Sequence, residues 1–291
     1  MNCNLCARRC NVDRDKTFGF CGLPNKIKIA KVMLYMNEEP CISGSNGSGA
    51  IFFSGCNMKC IFCQNYEISS GNVGKEVSIS EFSDICISLE KKGAHNINLV
   101  TPGHFSNLIK EGILLAKEKG LSIPIVYNTN GYDSLEAIRN LEGVIDVYLP
   151  DFKYFDDSLS IKYSKALGYF ENVKCIIAEM YRQTGPCTFK NDMLVRGVLV
   201  RHLILPTLSY DSKKIISYLY STYGDNIYLS IMNQYTPVKK FDDHILNKKV
   251  SDIEYNDVID YAYDLGVRNC FVQEEGTCST SFIPDFSEFG F

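Results

Sequence analysis

Six short apolar runs, near residues 50–55, 96–101, 123–128, 144–149, 197–205 and 227–232, alternate with amphipathic stretches, and a further run lies near 269–273. Strand followed by helix, six times over, brings each strand back in the same direction, so a parallel sheet is expected. Helix ends are marked as well. Gly93, Gly120, Gly143, Gly185, Gly224 and Gly266 each follow a periodic run, where a left-handed residue closes a helix. Ser78 with Glu81, and Ser251 with Glu254, fit a capping box. Alternation permits an open (β/α)6 barrel or a doubly wound sheet, and both place their site at the carboxyl ends of the strands. Ahead of the first run, 27–32 has the period of two of a half-buried strand, and the Gly/Ser-rich stretch 43–49 then breaks regularity. The expected organisation is a cap over 1–49, a main domain over 50–273 and a tail over 274–291.

Charge narrows the function. Lys plus Arg number 30 against 34 Asp plus Glu, with no basic stripe, so neither nucleic acid nor an anionic membrane is an expected partner. No apolar run approaches the ~20 residues of a membrane span, and the opening Met1–Cys6 lacks the apolar core of a signal peptide. A cytoplasmic protein is expected. Thirteen cysteines in such a chain read as metal ligands or reduced thiols rather than disulfides, which suits an anaerobic cell.

Cys56, Cys60 and Cys63 form a C-x3-C-x2-C loop directly after the first barrel strand. Three thiolates on one loop hold three corners of a 4Fe-4S cube and leave the fourth iron open to chemistry, whereas a tetrahedral zinc site needs four ligands. Cys3, Cys6, Cys10 and Cys21 form a second set, C-x2-C-x3-C-x10-C, with enough sulfur to close a zinc site or a second iron–sulfur cluster. A metal-free cap of reduced thiols is the alternative. Cys86 and Cys175 fall at apolar positions of expected helices and read as core, while Cys278 reads as an exposed thiol.

The three-cysteine loop, with Phe62 ahead of its third cysteine, resembles that of the radical S-adenosylmethionine (SAM) superfamily. That resemblance decides for the partial (β/α)6 TIM-type barrel. It implies SAM bound at the open iron and cleaved by an electron from the cluster to a 5′-deoxyadenosyl radical that abstracts hydrogen from a substrate. An electron donor such as flavodoxin or ferredoxin is then an expected partner. The superfamily's Gly-Gly-Glu is missing after the second strand, where Thr101 is the nearest candidate for the SAM amino group.

Asp151 and Lys153, two residues apart at a strand end, point the same way and suit a ligand carboxylate met by an ammonium. Arg201 and His202 are neighbours on one strand, so only one faces the interior. A buried Arg needs an anion, which favours Arg201. Asn128-Thr129-Asn130-Gly131 and Asp151-Phe152-Lys153 resemble strand ends of the glycyl-radical activating enzymes, typified by the pyruvate formate-lyase-activating enzyme. That likeness implies that Lys153 binds the SAM carboxylate, that Thr129, Asn130 and Asp151 shape the SAM side, and that Arg201 lies near it. Asn128 stands where the family has Asp, leaving a monovalent cation without its usual ligand. The substrate is then a protein or peptide, with a free amino acid or other small metabolite as the alternative and a non-catalytic iron–sulfur module as a third reading. The acidic, aromatic tail reads as a lid over the barrel mouth.

Overall fold

The computed structural model describes residues 2–273 and 284–290. Ten strands form one sheet: β1 (Lys28–Tyr35), β2 (Ser48–Phe53), β3 (Lys75–Glu76), β4 (Ile97–Val100), β5 (Ile125–Thr129), β6 (Val147–Pro150), β7 (Thr188–Lys190), β8 (Met193–Leu203), β9 (Tyr228–Met232) and β10 (Cys270–Val272). Seven of them, β2, β4, β5, β6, β8, β9 and β10, pair in parallel and in chain order. β1 and β3 extend the β2 edge antiparallel, and β7 folds back on β8. The ladder ends at β3 and β10 without closing, which makes a partial barrel. The expected six strands are present, and the run near 269–273 supplies the seventh.

Helices cover the outer face of this sheet. Both expected capping boxes form: the Glu81 amide donates to Ser78 Oγ at 3.2 Å while Ser78 N–H donates to Glu81 Oε2 at 2.7 Å, and Ser251 with Glu254 repeats the exchange. The helix Ile79–Lys91 buries Phe82, Ile85, Cys86 and Leu89 on one stripe. Gly112 on the next helix, Ser106–Glu118, admits the Phe82 ring, since a Cβ there would lie 2.3 Å from it. Cys175 corrects the sequence reading. The helix Tyr169–Thr184 turns Tyr169, Val173, Ile176, Ile177 and Met180 inward, which leaves Cys175 on the solvent side.

The barrel base is plugged from outside the strands. After β1 the chain forms one helical turn, Pro40–Ser43, whose Cys41 and Ile42 pack on the inward residues Val126, Val147, Leu149 and Leu199. The residues just ahead of that turn therefore enter the barrel from below. Residues 284–290 lie along β1, with Val32 N–H donating to the Phe289 carbonyl at 2.9 Å and Phe286 edge-on to Phe52 at 5.6 Å. Cys278 falls outside the described residues. No described helix is long and apolar enough to cross a membrane.

Candidate active site

β2 delivers the three-cysteine loop to the carboxyl end of the barrel. Gly55 turns the chain with φ +78°, in a spot where a Cβ would lie 2.6 Å from Leu23. Lys59 is also left-handed, at φ +56°. Ser164 donates to Cys60 Sγ at 2.8 Å, and Met58 N–H and Asn130 Nδ2 each donate to Cys56 Sγ at 3.4 Å. Hydrogen bonds of this kind set the potential of a cluster bound by such sulfurs. As free thiols, burial pushes Cys60 up to about 11 and Cys63 up to about 12. Only a bound metal would hold them as thiolates near neutrality.

Cys60 and Cys63 open onto a cavity of about 200 Å³ whose opposite wall is polar, with Glu38, Asp151, Lys153 and Arg201. Lys153 Nζ donates to Asp151 Oδ2 at 2.7 Å. Arg201 donates Nε to Asp151 Oδ1 at 3.1 Å, Nη1 to Glu38 Oε2 at 3.0 Å and Nη2 to Asn128 Oδ1 at 2.5 Å. Burial raises the Asp151 carboxyl, but Lys153 and Arg201 together outweigh it and hold the acid below its ordinary value. Burial likewise lowers Lys153, and Asp151 reverses the shift. For Glu38 burial wins over Arg201, and its pKa is raised. Two cations and two acids thus share one wall, which suits a ligand carrying both an ammonium and a carboxylate.

The structure brings Cys60, Phe62, Cys63, Asp151, Lys153 and Arg201 to one cavity. Phe62 is held there edge-on by Tyr163 and Tyr235, at 6.4 and 6.0 Å. Three other residues lie elsewhere. Thr129 Oγ1 donates to the buried Asp133, Asn130 braces Cys56 and Asn57, and Thr101 is a left-handed residue, φ +60°, that turns the chain after β4. His202 faces outward, between the Phe152 carbonyl at 2.7 Å and Ser212 Oγ at 2.8 Å. His104 is buried with Nε2 on the Ser54 carbonyl at 2.7 Å, and burial lowers its pKa to about 3, so it is a packing residue.

Sequence reasoning missed Glu38, which arrives from below the barrel on the base plug. Asn98 and Asn128 donate to its Oε1 at 2.9 and 3.3 Å. It also missed Ser164 and Tyr169, whose hydroxyl receives Lys153 N–H at 3.0 Å. Polar residues inside otherwise apolar strands, Asn98 and Asn128, were the available clue to a polar floor.

The donor set fits a 4Fe-4S cluster. Cys60 and Cys63 face the cavity, and Ser164 on Cys60 Sγ and the Met58 amide and Asn130 on Cys56 Sγ supply the hydrogen bonds a cluster's sulfurs take.

The model of the radical SAM superfamily matches residues 50–204, and the chain belongs to that superfamily. It is an enzyme family that binds SAM and a 4Fe-4S cluster on a partial barrel of this kind. The chain is 32% identical over 253 residues to an uncharacterised protein of Methanocaldococcus jannaschii, covering 82% of this chain and 67% of that protein. It is 26% identical over 230 residues to the pyruvate formate-lyase-activating enzyme of Clostridium pasteurianum, covering 74% and 87% respectively. Streptococcus suis SuiB, solved bound to S-adenosylmethionine, superposes with a TM-score of 0.52 at 13% identity, over 76% of this chain and 48% of SuiB. The chain thus spans about half the length of SuiB.

Proposed function

We propose that this chain cleaves SAM reductively and removes hydrogen from a protein or peptide, in the manner of an activating enzyme. The observation that carries the reading is the convergence of Cys60 and Cys63, Lys153 and Arg201 on one cavity at the barrel mouth. The likeness of the Asn128–Gly131 and Asp151–Lys153 strand ends to the activating enzymes supports the substrate class, as does the Clostridium pasteurianum relative. Cys56, Cys60 and Cys63 would hold the cluster, which would supply the electron for reductive cleavage of SAM.

This chain's own residues do the binding. Lys153 meets the SAM carboxylate as an ammonium that Asp151 keeps charged and aimed. Arg201, fixed by three acceptors, cannot swing away from the cavity. Phe62, Tyr235 and Phe52 cover the apolar side and exclude water from the reacting centre. A low-potential donor such as flavodoxin or ferredoxin supplies the electron. Tail residue Pro284 also lines the cavity, which supports the lid reading of the tail.

Glu38 favours one second reading, a free amino acid or other amine-bearing metabolite whose ammonium this floor acid receives. One experiment covers both. The anaerobically reconstituted protein is given SAM and dithionite, and 5′-deoxyadenosine is compared between wild type and Cys60→Ala. Product only in the wild type is expected. Deuterium transfer into 5′-deoxyadenosine from labelled peptides, but not labelled amino acids, selects the first substrate class. No product from a protein with a full cluster refutes the reading in favour of a non-catalytic module.

A further inference from the structure

β1 keeps an open edge. β2 pairs with one side of it as far as Tyr35, whereas β3 pairs with the other side only at Lys28 and Ile29. From Ala30 onward that outer edge has no strand partner among the described residues. Such an edge offers its unpaired main-chain groups to any chain that approaches it.

Residues 284–290 occupy the edge, and they do so largely through their main chain. Val32 N–H donates to the Phe289 carbonyl at 2.9 Å, and Lys31 Nζ donates to the carbonyls of Asp285 and Glu288, the latter at 3.3 Å. Asp285 Oδ1 accepts the Ser287 N–H at 2.8 Å, which closes the turn that presents those carbonyls. One side chain of the segment is buried. Phe286 fills an apolar pocket of Ala30, Ala50, Phe52, Ile68 and Val100, while Asp285, Ser287 and Glu288 are exposed. A second position is selective for its lack of a side chain. Gly290 (φ +79°) passes so close to Val32 that a Cβ would collide with the carbonyl oxygen.

This path leads to the reacting centre. Pro284, at the start of the segment, lines the cavity onto which Cys60, Cys63 and Lys153 open. Main-chain hydrogen bonds at a sheet edge, with pockets for a few side chains, are also how a strand edge recognises a separate peptide. The same contacts are available to any peptide with an aromatic residue and a glycine four positions later. In the wild type it must displace a tethered occupant, whose effective concentration is on the order of millimolar.

We propose that this groove is a docking site for a peptide in trans, anchored by an aromatic side chain and by a glycine four residues after it, with residues 284–290 as its resident occupant. The inference rests on the reading that the substrate is a protein or peptide, and it gives that substrate a route to the SAM cavity. The test is fluorescence anisotropy of a labelled peptide with the sequence of residues 284–290, titrated with the reconstituted full chain in the absence of SAM. Phe286→Ala empties the aromatic pocket and is expected to bind the peptide about tenfold more tightly than the wild type, whose pocket is filled. On that variant a peptide carrying Phe286→Ala is expected to bind about tenfold more weakly, and one carrying Gly290→Ala to lose affinity as well. Equal binding by wild type and Phe286→Ala overturns the proposal, as does indifference to either change in the peptide. Should Phe286→Ala fail to fold, the wild type decides. There the peptide at about millimolar concentration is expected to expose the tail to chymotrypsin at Phe286, and a peptide carrying Phe286→Ala is not; protection unchanged by the parent peptide overturns the proposal. Binding is read without turnover, so a groove that fails shows in these titrations, whereas a substrate that proves to be a free amino acid shows in the deuterium transfer.

Discussion

Removing Arg201 tests the polar floor directly. Its guanidinium is shared by Glu38, Asp151 and Asn128, all largely buried. In Arg201→Ala, Asp151 retains Lys153 at 2.7 Å, whereas Glu38 retains only the amides of Asn98 and Asn128. The stranded charge is therefore Glu38, and breaking a buried pair in this way costs about 3–5 kcal/mol. Protonation offers Glu38 a partial escape. Burial already raises its pKa, and loss of Arg201 raises it further. A carboxyl whose folded pKa exceeds its unfolded value binds its proton more tightly when folded. The penalty is thus absent below the unfolded value of about 4.3, grows as pH rises from there to the raised folded value, and is constant above it. Arg201→Ala is expected to lose more stability at pH 8 than at pH 5, measured by urea unfolding under reducing conditions. Adding Glu38→Gln removes the stranded charge, so the double variant recovers about 2 kcal/mol of the loss at pH 8. A double variant no more stable than Arg201→Ala, or a deficit independent of pH, refutes this account.

His202 gives a pH dependence of opposite sign, because burial depresses its pKa from 6.5 to about 4. As pH falls through that window the unfolded chain takes up a proton that the folded chain does not, and stability drops by up to about 3 kcal/mol. His202→Asn should flatten the slope of urea midpoint against pH, and an unchanged slope would show that His202 is not the group responsible. Tyr169→Phe removes the hydroxyl that ties Lys153 N–H to the Asn130 and Asp151 carbonyls. We expect a loss of about 1–3 kcal/mol and weaker SAM binding by the reconstituted protein, both read by titration against wild type. Deleting residues 280–291 strips Phe286 from Phe52 and is expected to cost about 2 kcal/mol and to accelerate substrate-free SAM cleavage; an unchanged cleavage rate counts against the lid.

Whatever is local in this protein could be read from its sequence. Ser78 and Glu81 are three residues apart, and the spacing alone implied the capping box found at the start of Ile79–Lys91. Cys56, Cys60 and Cys63 lie within eight residues on a loop after a strand, and Asp151 and Lys153 meet because alternate strand residues share a face. Cys175 shows where local reasoning slips. Val173 to Ile177 is a nearly continuous apolar run, so apolar character could not say which members face inward. Only the helix's contact with β8 and its neighbours fixes Val173, Ile176 and Ile177 as the inner stripe.

Glu38 was illegible for a different reason. Its partner Arg201 is 163 residues away, and no periodicity links a residue before the barrel to one on its fifth parallel strand. What joins them is topology. β1 runs antiparallel to β2, so its end lies at the barrel base, and the Pro40–Ser43 turn must fold under the strands to bury Cys41 and Ile42. That fold-under carries Glu38 up into the interior. There it meets four largely buried polar side chains, Asn98, Asn128, Asp151 and Arg201, one from each of four strand segments. An acid is the residue type that such a floor requires. Asp151 is divided between Lys153 and Arg201, and the remaining guanidinium nitrogens need further acceptors. An interior Arg on a parallel strand therefore implies a second acid somewhere in the chain. The base plug carries a segment from outside the barrel to it, which makes the residues just before that plug a place to look.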